Sequence, residues 1–308
     1  GYFKTSIMSA CTIPDGDSPS VEVAGEPSAK YILAFDPSWA ETESSDDFAI
    51  QIFKLNDETK QGVLVHSYAL SGSRLKEHIN YFCYLINSFN IICIVGDYNG
   101  GVQFINSVLE SQLFKSQSKK ISIIDGVDFN RAEIYQSELQ TFKSKFNGNF
   151  IPCYLKGPTS SWIRSANELL QANFDHRRIW FAARAVSDEY KSQINKKIPI
   201  EKIKFLQENM DSEKQSKAAK MIDFVEHQFD MINLTKVECS LIQITTTAQG
   251  TQTFDLPLSL KRQSGRDKAR KDSYSALLLG NWMIKVYYDM QNIKVKSAAA
   301  TFTPMFIN

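Results

Sequence analysis

Three aspartates stand where a carboxylate is costly to place. Asp36 ends the apolar run YILAF (31–35) and is followed by Pro37. Asp97 ends a second apolar run, Ile91 to Gly96, and is followed by Gly100 and Gly101. Asp272 opens the long amphipathic stretch DSYSALLLGNWMIKVYYDM. A charge at the end of a buried strand needs compensation. Taken singly, each has an ordinary reading: strand-terminal aspartates make turns, and an acid in the first helical turn complements the helix dipole. Taken together, three carboxylates without a balancing cation repel one another. A divalent metal resolves this, and hard oxygen ligands select Mg²⁺ or Mn²⁺. Two such ions, roughly 3.5–4 Å apart, clamp the attacking and leaving oxygens of a phosphoryl transfer. Asp46 and Asp47 open the next strand, and Asp47, directly before it, is the candidate fourth carboxylate. A solvated loop acid is its alternative.

The elements that must position these residues form an α/β pattern. A strand at 30–36, a second from Phe48 and a third at 63–70 are joined by short polar connections, which predicts an antiparallel meander. A helix at 74–89 carries Leu75, Ile79, Phe82, Leu85 and Ile86 at helical spacing. The run at 91–95 reads as a central strand buried on both faces. A helix, a strand near 120–125, a strand at 150–156 and a helix at 160–174 follow, with a short extended piece near 179–183. The prediction is a mixed sheet, antiparallel at one edge and parallel at its centre, flanked by helices. Asp36 and Asp97 then lie at the C-terminal ends of adjacent parallel strands, where α/β sites form.

Residues 1–29 are rich in Pro, Ser, Gly and Asp and show no period, so they read as an N-terminal arm or interdomain linker. Residues 30–308 read as one domain. Within it, 187–235 is charged and helix-prone, a helical insertion packed on the side. Residues 240–254 read as a hairpin about Ala248-Gln249-Gly250.

Composition narrows the class. The chain has 308 residues, 43% hydrophobic and 22% charged, as a soluble globular domain does. No apolar run approaches the ~20 residues of a membrane span, and no signal peptide is visible. The net charge of +1 gives no global nucleic-acid signature. Five widely spaced cysteines without a CxxC pair argue against structural zinc or a disulfide framework, and Cys83 and Cys93 read as core. The chain opens on Gly1 rather than Met, as a fragment or processed chain would.

The pieces FDPSWAETESSDDFAI, IVGDYNGGVQFINSVL and RKDSYSALLLGNW resemble the ribonuclease H-like nucleases. More narrowly, the chain is similar over roughly 31–290 to the nuclease domain of the large terminase subunit of tailed bacteriophages. The Lys-Asp-x-Tyr-x-Ala-Leu-Leu-Leu piece is the most specific, and the hairpin ending in FDLP also looks like that family's. The resemblance implies a two-metal endonuclease that cuts double-stranded viral DNA during genome packaging in the cytoplasm of an infected host cell. It implies Asp36, Asp97 and Asp272 as the metal-holding catalytic residues, with Asp36 bridging both ions. It also implies a packaging ATPase, a small terminase subunit and the portal as partners. Two features depart from the family: no G-x-x-x-x-G-K-[ST] motif of an ATPase occurs here, and the stretch at 187–235 is unlike a minimal domain.

The basic loop LKRQSGRDKARK (260–271) leads straight into Asp272. Its Lys261, Arg262, Arg266, Lys268, Arg270 and Lys271 are the expected DNA contacts, since a nuclease must hold a polyanion beside its carboxylates. A solvated loop is the plainer reading. His66, His78 and His227 read as surface or core residues, and Asp175-His176-Arg177-Arg178 as a helix end or a DNA contact. Two other functions compete. An actin/Hsp70-like nucleotide-binding ATPase shares this topology but needs glycine-rich phosphate hairpins, and Asp36-Pro37-Ser38-Trp39 has no glycine. A non-catalytic DNA-binding or motor-docking module would leave the carboxylates structural.

Overall fold

The computed structural model describes residues 1–38, 47–71, 74–124, 127, 129, 135–146, 149–194, 196, 217–246, 250, 252–262 and 269–293. Its strands are β1 (Tyr31–Asp36), β2 (Asp47–Asn56), β3 (Gln61–Ser71), β4 (Ile91–Asp97), β5 (Lys120–Ile123), β6 (Phe150–Lys156), β7 (Ile179–Phe181), β8 (Gln243–Thr246) and β9 (Gln252–Asp255). The seven-stranded sheet runs β5-β6-β4-β1-β2-β3-β7. β2 is antiparallel to both β1 and β3, while β1 and β4 are parallel, as are β4 and β6. The central order β3-β2-β1-β4-β6, with only β2 reversed, is that of a ribonuclease H-like sheet. β8 and β9 form the separate hairpin expected near 240–254.

Helices cover both faces. The first set is α1 (Thr5–Ala10), α2 (Leu75–Ser88), α3 (Tyr98–Glu110), α4 (Gln112–Lys115) and α5 (Tyr135–Lys145). The second is α6 (Ser160–Asp175), α7 (Ser187–Ile194), α8 (Lys217–Leu241), α9 (Leu258–Lys261) and α10 (Asp272–Asn292). Alternation along β1 decides which residue faces which layer. Phe35 packs on Phe82 of α2 and Phe104 of α3. Its neighbour Asp36 therefore points to the other face, where α10 lies across β1 and β2.

Of the two readings given for residues 1–29, the segment before β1 packs as an arm. Phe3, Met8, Cys11, Val21 and Val23 are all buried, and Thr12 and Ser20 bridge to Phe181 and Ala183 beyond the β7 edge. These anchors bury one by one, so no period marks them. Likewise α8, expected within a side insertion, lies on β3 and against α10, and it runs to Leu241, past the expected start of the hairpin. All five cysteines are buried and free.

α10 approaches the sheet closely at Gly280. A Cβ there would sit 2.2 Å from the Phe53 ring, itself fully buried in β2. Gly280→Ala is expected to cost about 1–3 kcal/mol by overpacking and to lower the thermal midpoint by several degrees. Combining it with Phe53→Leu is expected to destabilise less than the two single changes summed. Strict additivity would show that the ring and the helix are not wedged.

Candidate active site

β1 and β4 pair in parallel with Phe35 opposite Gly96, so Asp36 and Asp97 leave the sheet side by side. Asp272 arrives from the start of α10. All three line one cleft of about 470 Å³ together with Pro37, Trp162, Phe254, Lys271 and Ser275. A larger cleft of about 840 Å³ opens between the N-terminal arm and the β2–β3 turn and holds none of the three.

Each carboxylate is held by a donor of its own. Asp97 caps α3 by accepting from the Asn99 amide at 2.7 Å. The helix proper cannot begin until Gly100, at φ 85°, turns the chain through the left-handed region that glycine adopts without strain. Asp272 accepts from the Asp47 amide at 2.7 Å and is buried. It therefore does more than complement the helix dipole. Asp36 accepts from the Ser275 hydroxyl. Desolvation, then Asp272, then Asp97 push the Asp36 carboxyl well above the usual range, with Ser275 and Lys271 opposing. Desolvation also raises Asp97, against the pull of the Asn99 amide.

Among the described residues no group of three or more His, Cys, Asp or Glu is arranged to hold a metal ion. The donor set nonetheless fits one: three oxygen ligands line a single cleft, and two of them are disfavoured as anions without a cation.

The remaining expected residues divide. Asp47 reaches the site, where its carboxylate pairs with Arg270 at 3.2 Å while its amide holds Asp272. Lys271 bonds Asp255 at 3.0 Å, and Lys261 bonds the other oxygen of the same carboxylate. Burial works to raise Asp255, but the two lysines hold it below its ordinary range. Arg262 is exposed. Arg266 and Lys268 lie outside the described residues, as do Asp46, Ala248 and Gln249. His66 and His78 are core residues, and burial lowers His66 to about 3 and His227 to about 4. His176 and Arg177 end α6, with Arg177 at φ 52°. The Arg178 carbonyl meets Gly62 at the opposite end of the sheet from the aspartates.

One residue has no counterpart in the sequence reading. Glu238 of α8 is buried, and its Oε2 accepts from the Tyr274 amide at 2.9 Å. Burial, opposed by the Tyr274 amide, pushes its carboxyl up to about 8. Its only sequence signal is a lone acid between Val237 and Cys239.

No protein-family model matches the sequence, and no curated protein matches it. Among solved structures, the chain is similar to the large terminase nuclease of thermophilic phage G20c, at 12% identity and a TM-score of 0.43 over 90% of this chain and 94% of that one. It is similar to the nuclease domain of the large terminase subunit of bacterial virus Sf6, at 11% identity and a TM-score of 0.41 over 91% and 98%. It is also similar to the large terminase of bacteriophage HK97, at 9% identity and a TM-score of 0.44 over 91% of this chain and 43% of that one. The G20c nuclease has been solved with bound magnesium. The resemblance read from the sequence is to the same kind of protein.

The Glu238 shift sets a pH dependence. Between the unfolded carboxyl value near 4.3 and the folded value of about 8, the folded chain keeps a proton that the unfolded chain has lost. Stability contributed by protonated Glu238 is therefore present at low pH and lost as pH rises through that window. Glu238→Gln is expected to flatten the fall in unfolding free energy by up to about 1.4 kcal/mol per pH unit. Denaturant melts at pH 5, 6.5 and 8 measure it; an unchanged slope would place the proton elsewhere.

Proposed function

We propose that the chain is a metal-dependent DNA endonuclease of the large terminase type, cutting double-stranded viral DNA during genome packaging. The observation that carries this reading is the arrival of Asp36, Asp97 and Asp272 in one cleft, at the C-terminal edge of a ribonuclease H-like sheet. The three aspartates would hold Mg²⁺ or Mn²⁺, with two ions as the working arrangement. When bound, the metal supplies charge neutralisation and activation of water toward a phosphodiester.

The chain's own residues supply the rest. Asp36, fixed at the end of β1, lies between the other two. Asp47 and Arg270 neutralise one another and leave the Asp47 amide to orient Asp272. Lys261 and Lys271 share one carboxylate, Asp255, so this rim of the cleft keeps an excess positive charge for a phosphate backbone. Arg262 extends that rim, and Arg266 and Lys268 belong to the same loop. The partners of this reading are double-stranded DNA, a packaging ATPase, a small terminase subunit and the portal, in the cytoplasm of an infected cell. The chain spans 43% of the HK97 large terminase.

The hydrogen-bonded state of all three carboxylates favours a second reading, a non-catalytic DNA-binding or motor-docking module. Plasmid nicking separates the two. The nuclease reading expects cleavage with Mg²⁺ or Mn²⁺ and none with EDTA. Asp36→Asn or Asp272→Asn is expected to lower it on the order of 100-fold or more, with circular dichroism unchanged. Undiminished cutting by either variant would sink the assignment, and metal-insensitive DNA binding without cleavage would favour the docking module.

A further inference from the structure

The first turn of α10 is fixed by side chains from three other elements, α8, β2 and α6. Lys271 occupies its N-cap position and makes no side-chain cap. The amides of Ser273 and Tyr274 are thus left to find acceptors, and both residues are buried away from water. Glu238 of α8 accepts from the Tyr274 amide at 2.9 Å, with the Ser273 amide beside it. Gln51 of β2 donates to the Ser273 carbonyl at 2.9 Å and to Thr235 of α8 at 3.0 Å. The Tyr274 hydroxyl donates to Asn167 of α6 at 2.6 Å. The Asp47 amide then meets Asp272 itself.

We propose that Glu238 is a positioning residue for Asp272: its carboxyl group locks the N-terminal turn of α10 at the height and rotation that present Asp272 to the cleft. The inference rests on the nuclease reading, because it gives Asp272 a cation to meet. Beyond its first turn α10 docks mainly through apolar side chains, with polar contacts at Asn281 and Tyr288 two or more turns away, and apolar contacts resist separation more than small slides or rotations of the N-terminal turn. Hydrogen bonds are directional and set what apolar packing leaves free. A glutamyl carboxyl group reaching in from α8 brings an acceptor oxygen to an amide that no N-cap side chain of α10 serves. Glu238 faces these amides rather than the cleft, and it is absent from the residues lining that cleft. It therefore acts through Asp272 rather than as a ligand. Groups that orient a metal ligand without touching the metal commonly govern affinity by 10–100-fold.

The test is Mn²⁺ titration of the full chain by calorimetry, read beside the thermal midpoint in EDTA. The unsubstituted chain is expected to bind Mn²⁺ and Asp272→Asn to lose it. Glu238→Ala is expected to weaken Mn²⁺ about 10–100-fold. Glu238→Gln, which keeps an acceptor oxygen, is expected to bind within a few-fold of the unsubstituted chain. Phe224→Leu, a buried change elsewhere on α8, lowers stability without touching the clamp and is expected to keep full affinity. If Glu238→Ala does not fold, Glu238→Asp retracts the carboxylate by one methylene and is expected to show the same weakening. Unchanged affinity in Glu238→Ala or Glu238→Asp overturns the proposal, as does equal loss in Phe224→Leu. So does a loss in Glu238→Gln as deep as in Asp272→Asn, which would make Glu238 a ligand. Absence of Mn²⁺ binding by the unsubstituted chain removes the nuclease reading and this inference together; binding there with no effect at Glu238 removes the inference alone.

Discussion

Repulsion among Asp36, Asp97 and Asp272 is the term around which one end of this molecule is arranged. Carboxylates about 4–6 Å apart repel by a few kcal/mol per pair at an effective dielectric of about 20. No sequence keeps three of them at one sheet edge by packing alone. Without a cation the charge is relieved locally: Asp97 turns to an amide of its own helix, Asp272 to an amide of β2, and Asp36 to a hydroxyl of α10. The three aspartates line one cleft, and among the described residues no group of three or more His, Cys, Asp or Glu is arranged to hold a metal ion.

That arrangement constrains the elements behind it. β1 and β4 must be parallel neighbours, or Asp36 and Asp97 would leave opposite ends of the sheet. α10 must lie flat on β1 and β2, which Gly280 permits by admitting the Phe53 ring. Its first turn must then be pinned from outside, because the residue at its N-cap is a lysine that caps nothing. The polar residues that pin it, Gln51, Asn167 and Glu238, are all buried in the layer between sheet and helices.

The legible part of the site was the part encoded locally. An apolar run cut short by an aspartate marks Asp36 and Asp97, and the onset of helical spacing marks Asp272. The antiparallel meander followed from short connections, and a central strand from the fully apolar run at 91–95. What was not legible depends on pairs distant in sequence. Arg270 reads as a free cation in its loop, yet it pairs with Asp47, 223 positions away. Lys261 and Lys271 read the same way, yet both turn to Asp255. Glu238 lies in a charged helix where one more acid carries no signal, and its meaning appears only when α8 meets α10. Arm and linker were not told apart for residues 1–29, because single buried anchors such as Phe3 and Met8 leave no period.

The paired cations bear on how a polyanion would be met. A loop of free lysines would attract DNA at long range and hold it loosely in any register. Here Arg270 is committed to Asp47, and Asp47 in turn orients the amide that holds Asp272. Lys271, one residue from Asp272, is shared between Asp255 and the field at Asp36. A phosphate drawing Lys271 away from Asp255 would alter the charge facing Asp36 in the same motion. In the proposed reading, phosphate contact and the charge at Asp36 are thus joined through one side chain, because Lys271 directly precedes the helix that carries Asp272.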